Sequence, residues 1–363
     1  MSILESTVNN IDSLIENMIS FITNEIDSLN KTSIEQAKKR LDRLIKPQGS
    51  LGKMEDICMQ LAGIHKSKYF DTSKKVVIAF GADHGVYEEG VAPDPQSITY
   101  MQLPNFTKGI CGVGVISKFV GADVVAVDIG VNCDHELEGV LNYKIRKGTS
   151  NMAKGPAMTR EEAIRCLEIG IEMAEDSIKK GYNLIGIGEM GICNTTPSSA
   201  IISVIDNCDP EDVTGIGAGL KKERVKFKAD TIRKSIELNK PNPEDAIDIL
   251  SKVGGFEIGG MAGVILGCSA NRIPVVLDGF ISYAAALLAY KINLKTREYM
   301  IASHSSAEPG TQRALKILNL EPVLNMGMRL GEGSGAALAF NIIEAANYTY
   351  ENMATFDEVD MGR

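Results

Sequence analysis

The chain has 363 residues, enough to bury a full core as one large α/β domain with an appendage or as two domains. Its formal charge of −9, with acidic and basic residues interspersed, makes a field that repels nucleic acid and offers an anionic membrane surface no basic footprint. The 35 glycines, the lack of tryptophan and a 6% aromatic content suit close backbone approach and aliphatic packing better than a base-stacking platform, so small molecules are the expected partners.

From the N-terminus, residues 4–66 read as helical, with Ile11, Leu14, Ile15, Met18, Ile19 and Ile22 at spacings of three and four. Residues 76–80 predict a first strand, 102–120 a helical stretch, 124–127 a second strand, and about 159–180 a helix. Residues 184–187 predict a third strand, and Asn194-Thr195-Thr196-Pro197 then opens a helix with a cap and a proline. Residues 274–277 and 299–302 supply two more strands, and an apolar run after Glu332 predicts a final helix. Continuous apolar strands alternating with helices predict an α/β fold whose mostly parallel, doubly wound sheet is covered on both faces, a Rossmann-like three-layer arrangement.

In such sheets ligands bind beyond the carboxyl ends of the strands. Each predicted strand ends in a glycine or polar cluster: Gly81-Ala82-Asp83-His84-Gly85, Asp128-Ile129-Gly130, Gly188-Glu189-Met190-Gly191, Asp278-Gly279 and Ser303-His304-Ser305-Ser306. Five strand ends are therefore expected at one site. The seven cysteines are dispersed with no Cys-x-x-Cys pair, and the N-terminus lacks a basic segment followed by an apolar one. No run of about 20 uncharged apolar residues suggests a membrane span, and a cytoplasmic location is expected.

Two carboxylates stand out. Glu332 lies within Gly331-Glu332-Gly333-Ser334-Gly335 at a helix start, and Glu189 repeats the glycine setting after a different strand. Either carboxylate suits a helix macrodipole, and either suits general acid/base work in a pocket opened by glycines. With four histidines and no His-x-x-x-His or His-Glu-x-x-His, neither a metal site nor a cofactor is expected. His84 reads as structural, bonding its loop backbone, and the serines around His304 read as phosphate binders because no Gly-x-Ser-x-Gly elbow accompanies them. Thr214-Gly215-Ile216-Gly217-Ala218-Gly219 lacks full dinucleotide spacing and follows no clear strand. The lysines and arginine from Lys221 to Lys228 read as a solvated face from which one could turn inward to a phosphate.

Taken in order, several segments resemble one family: Lys46-Pro47-Gln48-Gly49-Ser50-Leu51-Gly52, Asp83-His84-Gly85-Val86, Gly188-Glu189-Met190-Gly191-Ile192, Lys252-Val253-Gly254-Gly255, Leu277-Asp278-Gly279-Phe280, Ser303-His304 with Ala307-Glu308, and Arg329-Leu330-Gly331-Glu332-Gly333-Ser334-Gly335. The chain resembles the nicotinate-nucleotide:dimethylbenzimidazole phosphoribosyltransferases of cobalamin lower-ligand synthesis. The resemblance implies transfer of phosphoribose from nicotinate mononucleotide to 5,6-dimethylbenzimidazole or a related base, giving α-ribazole 5′-phosphate and nicotinate with inversion at C1′. It implies Glu332 as general base and Glu189 beside the reacting groups; Gly191, Lys228, Asp278, Gly279 and Ser306 at phosphate and ribose; and Met101, Gln102, Met190 and Leu330 at the base pocket. Met101 stands where a glutamine is expected, with Gln102 one place later, which leaves adenine, another benzimidazole or a phenolic compound open as the base.

With the element order, the resemblance implies an N-terminal helical part of a small domain (1–70), a large α/β substrate-binding domain (71–325) and a C-terminal helical return (326–363) carrying Glu332. It also implies a homodimer. Two other readings of the glycine-rich strand ends are a nucleotide-dependent oxidoreductase and a nucleotide-binding regulatory protein without catalysis.

Overall fold

A computed structural model of the chain describes Ile19 and residues 22–359. The predicted helical positions Ile11, Leu14, Ile15 and Met18 lie outside them. Helix α1 (Lys31–Arg43) starts where the Asn30 side chain accepts the Ser33 N–H, and α2 (Lys53–His65) follows a turn closed by a buried Lys46–Glu55 ion pair of 2.8 Å. Strand β1 (Lys75–Ala82) is buried along its whole length. Its side chains alternate between two cores: Val76, Ile78, Phe80 and Ala82 enter one, and Val77 and Ala79 the other. A strand wrapped on both faces reads as a continuous apolar run for this reason.

After β1 come α3 (Ser97–Lys108) and α4 (Gly112–Val120), then β2 (Ala122–Gly130) and a two-residue edge strand β3 (Leu141–Asn142). The helix expected over 102–120 is thus two helices and begins earlier; Gly109, at φ +69, ends the first. A capping box between Thr159 and Glu162 opens α5 (Arg160–Lys179), which leads to β4 (Leu184–Met190) and α6 (Thr195–Asp206). Helices α7 (Lys222–Asn239), α8 (Ala246–Val253) and α9 (Phe256–Ala270) intervene before β5 (Val275–Leu277). Then follow α10 (Phe280–Ile292), β6 (Met300–Ala302), α11 (Gly310–Leu318) and α12 (Ser334–Asn352).

The six strands form one parallel sheet in the order β3-β2-β1-β4-β5-β6. This is a doubly wound α/β fold, and the chain reverses its direction of travel across the sheet between β1 and β4, where a crevice opens at the carboxyl ends. One face carries α5, α9 and α10, and the other α2, α3, α4 and α12. The packing of α9 on α5 requires glycine: a methyl group on Gly170 would stand 2.0 Å from the Gly260 carbonyl oxygen.

The two ends of the chain meet. Arg40 donates to the carbonyls of Tyr350 and Glu351 at 2.9 Å each, Ile45 N–H donates to Ala354 O, and Leu44 bridges Thr355. Among the described residues no helix is long and apolar enough to cross a membrane, and the seven cysteines form no disulfide.

Candidate active site

The crevice holds a cavity of about 250 Å³ lined by the ends of three strands. Strand β4 contributes Glu189 to Ile192, β5 contributes Asp278 and Gly279, and β6 contributes His304, Ser306 and Glu308. Gln102 from α3, Asn194 and Thr195 at the start of α6, Gly217 and Ala218, and residues 329–332 add to the wall. The ends of β1 and β2 stay behind it, against the expectation of five converging ends. Asp83 accepts from Thr99 Oγ1 (2.7 Å) and Asn132 N–H (2.8 Å), and Asp128 accepts from the amides of Gly130 and Val131. Both carboxylates are occupied in fixing loops.

Glu332 is only 6% exposed and has a left-handed backbone, φ +66, between Gly331 and Gly333. For a residue with a long side chain this is a strained conformation that surrounding structure must hold. Its Oε1 accepts from Gln102 Nε2 at 2.8 Å, and its Oε2 accepts from the Val113 amide in the first turn of α4 at 2.9 Å. A helix N-terminus thus faces the carboxylate from another helix than the one it precedes. Close approach of backbone also fixes it: a methyl group on Gly188 would stand 2.3 Å from the Glu332 carbonyl oxygen.

Glu189 adjoins Glu332. Its Oε1 accepts the Glu332 N–H at 3.4 Å and its Oε2 accepts from Asn194 Nδ2. Burial, aided by the nearby charges of Asp278 and Glu257, pushes its carboxyl up to about 8, against the hydrogen bonds that favour the anion. The protonated form of Glu189 is therefore favoured near neutral pH.

Asp278 caps α12. Its Oδ1 accepts from the amides of Gly335 (2.7 Å) and Ala336 (3.3 Å), its Oδ2 from that of Gly333 (3.1 Å), and His304 Nε2 lies 3.8 Å away. Burial raises its carboxyl above the ordinary range despite these partners. Ser303 Oγ donates to the Asp278 carbonyl, so that hydroxyl is structural. His84 differs from its sequence reading: its ring faces Glu257, with Nε2 3.0 Å from Oε1, rather than its own loop backbone. Burial opposes charge on His84, but the Glu257 carboxylate together with Asp83 outweighs it and raises its pKa.

A small annex of about 40 Å³, sharing Gly191, Asn194, Thr195, Gly217 and Ala218 with the main cavity, ends at Lys228. Lys228 is 1% exposed and donates to Thr195 Oγ1 at 2.6 Å. Burial pulls its ammonium down to about 8, with Glu308 and Cys193 acting against the shift.

Of the residues singled out in the sequence, Glu332, Glu189, Gly191, Asp278, Gly279, Ser306, Gln102, Met190 and Leu330 line the main cavity, and Lys228 the annex. Met101 does not: it is 61% exposed, because one residue along a helix turns a side chain by about 100° and only Gln102 faces Glu332. The glycine run of residues 214–219, read as a weak dinucleotide motif, supplies cavity wall at Gly217 and Ala218 instead. Arg329 and Glu308 were missed as individual positions, although both fall in segments that carry the family resemblance. Among the described residues no group of three or more His, Cys, Asp or Glu side chains is placed to hold a metal ion.

A family model described as phosphoribosyltransferase matches residues 26–361. The chain is 77% identical to a nicotinate-nucleotide–dimethylbenzimidazole phosphoribosyltransferase of Clostridioides difficile strain 630, over 95% of this chain and 99% of that protein. It is 50% identical to the protein of the same name from Clostridium acetobutylicum, over 96% and 97%. Among solved structures it is similar to CobT from Thermus thermophilus, with a TM-score of 0.87 at 36% identity, covering 92% of this chain and 99% of that one.

Proposed function

Because the chain belongs to the nicotinate-nucleotide–dimethylbenzimidazole phosphoribosyltransferase family, we propose that it transfers phosphoribose from nicotinate mononucleotide to 5,6-dimethylbenzimidazole or a related base. The products are α-ribazole 5′-phosphate and nicotinate, with inversion at C1′. The observation that carries the reading is the pairing of two buried carboxyl groups in one cavity, with Glu332 held on Gln102 and the α4 amide and Glu189 beside it.

The pyridinium of nicotinate mononucleotide is a cationic leaving group, and its departure from C1′ neutralises it. One imidazole nitrogen of the incoming base attacks C1′ while the other gives its proton to Glu332, a step that general-base catalysis rewards by roughly 10² to 10⁴ in rate. The incoming N–H takes a place on the carboxylate beside, or in exchange for, the Gln102 or Val113 N–H donor. Glu189, protonated at neutral pH, adds no negative charge to a cavity that must admit a phosphate, and its neutral carboxyl can hydrogen-bond the ribose. Lys228 neutralises the phosphate from the annex, which Gly191 shares with the main cavity, and Gly279 and Ser306 face the nucleotide from the main cavity. Asp278 acts through α12, fixing the turn that carries Glu332. Met190, Leu330 and Gln102 flank the aromatic base.

The helices from both ends of the chain, residues 1–70 and 326–363, are proposed as one small domain; the contacts of Arg40 with Tyr350 and Glu351 support this division. The chain is proposed to act as a homodimer, as the resemblance implies, and its dispersed cysteines suit the cytoplasm. The test is incubation of purified protein with nicotinate mononucleotide and 5,6-dimethylbenzimidazole in the presence of a chelator, followed by chromatography. Equimolar nicotinate and α-ribazole phosphate are expected; nucleotide binding without product from any of a panel of bases would refute the catalytic reading.

A further inference from the structure

The glycine run at residues 214–219 has no strand before it; it follows a 3-10 turn (Pro210–Asp212) and leads into α7. Its backbone threads between two buried side chains of opposite charge. On one side, the Gly217 N–H donates to Glu308 Oε1 at 3.0 Å, and a methyl group on Gly215 would stand 2.3 Å from Glu308 Oε2. On the other, Lys228 Nζ is 3.5 Å from the Gly215 carbonyl, and a methyl group on Gly217 would fall 2.8 Å from Thr195 Oγ1 and 3.5 Å from Lys228 Nζ. Only a loop without side chains at these two positions lets both charged groups close on it.

Glu308 is 6% exposed, and its Oε2 accepts no hydrogen bond from any described residue. A buried ammonium with no countercharge nearby gives up its proton. Among the described residues, the groups around Lys228 are the Thr195 hydroxyl, the Gly215 carbonyl, the Cys193 thiol and the Glu308 side chain, with Asp94 in the annex wall. The thiol of Cys193 is pushed up to about 12 by its own burial and is uncharged at neutral pH. Asp94 is half-buried and open to solvent screening, so Glu308 is left as the buried acidic side chain of the set.

Resting on the reading that the annex takes the substrate phosphate, we propose that Glu308 is the positioning residue of that end. It pins the Gly215–Gly219 loop through the Gly217 amide and supplies the countercharge that keeps Lys228 an ammonium ion before the phosphate arrives. The incoming phosphate then meets a charge already in place. Without Glu308, binding must draw a proton onto Lys228, and affinity acquires a steeper fall with rising pH.

Glu308→Gln keeps an acceptor for Gly217 and the side-chain shape but removes the charge. Two quantities decide its role: the pH dependence of Lys228 acetylation by acetic anhydride, followed by mass spectrometry, and the Kd of nicotinate mononucleotide by calorimetry from pH 6.5 to 8.5. In the variant the labelling midpoint should fall to lower pH, and the ratio of variant to wild-type Kd should climb on the order of tenfold across that range, the change one pH unit of displacement gives. An unmoved midpoint, or a Kd ratio constant with pH, would overturn the proposal. Glu308→Asp, which retains the charge, should keep the wild-type midpoint; if it loses it as the Gln variant does, side-chain packing rather than charge is responsible and the proposal fails. Should nicotinate mononucleotide not bind the wild-type chain, the functional reading falls, while the labelling midpoint still decides whether Glu308 holds the proton on Lys228.

Discussion

The backbone N–H of Glu332 donates to the side chain of Glu189 across 3.4 Å, so the two buried carboxyl groups are joined through a main-chain amide rather than set directly against each other. Burial, with the charges of Asp278 and Glu257 behind it, raises the Glu189 carboxyl and favours its protonated form, while the Glu332 amide acts the other way. The amide turns Glu332's carboxylate away, toward Gln102 and the N-terminus of α4. One carboxyl is thereby kept neutral while the other is held as a hydrogen-bond acceptor, a division of roles between two glutamates set by surroundings alone.

Glu332→Gln should fold with unchanged thermal stability to within about 1 kcal/mol and lose roughly 10² to 10⁴ in kcat, with the KM for nicotinate mononucleotide within a few-fold of wild type. Steady-state kinetics against both substrates check this. Turnover near the wild-type rate would remove Glu332 from the role of base.

Gly188→Ala tests whether main-chain contact fixes Glu332. The new methyl group would meet the Glu332 carbonyl at 2.3 Å and Gly333 Cα at 2.8 Å, neither of which is a flexible side chain. Displacement of Glu332 by even about 1 Å is expected to cost about 10² in rate, with a destabilisation of about 1 to 3 kcal/mol by overpacking. Denaturant melts and kinetics on the same sample separate the two effects.

The raised carboxyl of Glu189 makes a pH prediction. Between its ordinary value of 4.5 and about 8, the folded protein keeps a proton that the unfolded chain releases. That group's contribution is therefore most favourable below pH 4.5, declines as pH rises to about 8 and is level above. Glu189→Gln removes the decline, so the stability of the variant relative to wild type should grow with pH across this window, by up to about 1.4 kcal/mol per pH unit. Urea melts at pH 5, 7 and 9 report it; a difference that does not change with pH would mean that Glu189 titrates as an ordinary carboxyl.

The Lys46–Glu55 pair is buried on both sides, and Glu55 Oε1 also accepts the Leu51 N–H at 3.0 Å. Glu55→Ala strands the ammonium and should destabilise the protein by about 3 to 5 kcal/mol. The double change Lys46→Met with Glu55→Leu should recover most of that loss, because an apolar pair of similar volume avoids the desolvation penalty. Thermal melts of the single and double variants compare the two.

Sequence by itself determined the sheet and the edge at which the site lies. Strands such as β1, apolar at every position, exist only where both faces are covered, and glycine clusters at their carboxyl ends mark the binding edge. Local pattern does not carry α9, whose Phe256–Ala270 sequence is glycine-rich and buried nearly throughout, so that it shows no polar face and no helical period. Its helix exists because Gly260 and Gly263 meet Gly170 of α5, a contact between positions about 90 residues apart. The same distance in sequence kept local pattern from showing which lysine turns inward, which the family resemblance alone assigned to Lys228, that Gln102 rather than Met101 meets Glu332, and that Asp278 caps the helix behind Glu332. Residue types and spacing specify local conformation and the side on which chemistry is displayed; burial, and with it the protonation of Glu189 and Lys228, arises only when remote segments exclude water from one cavity.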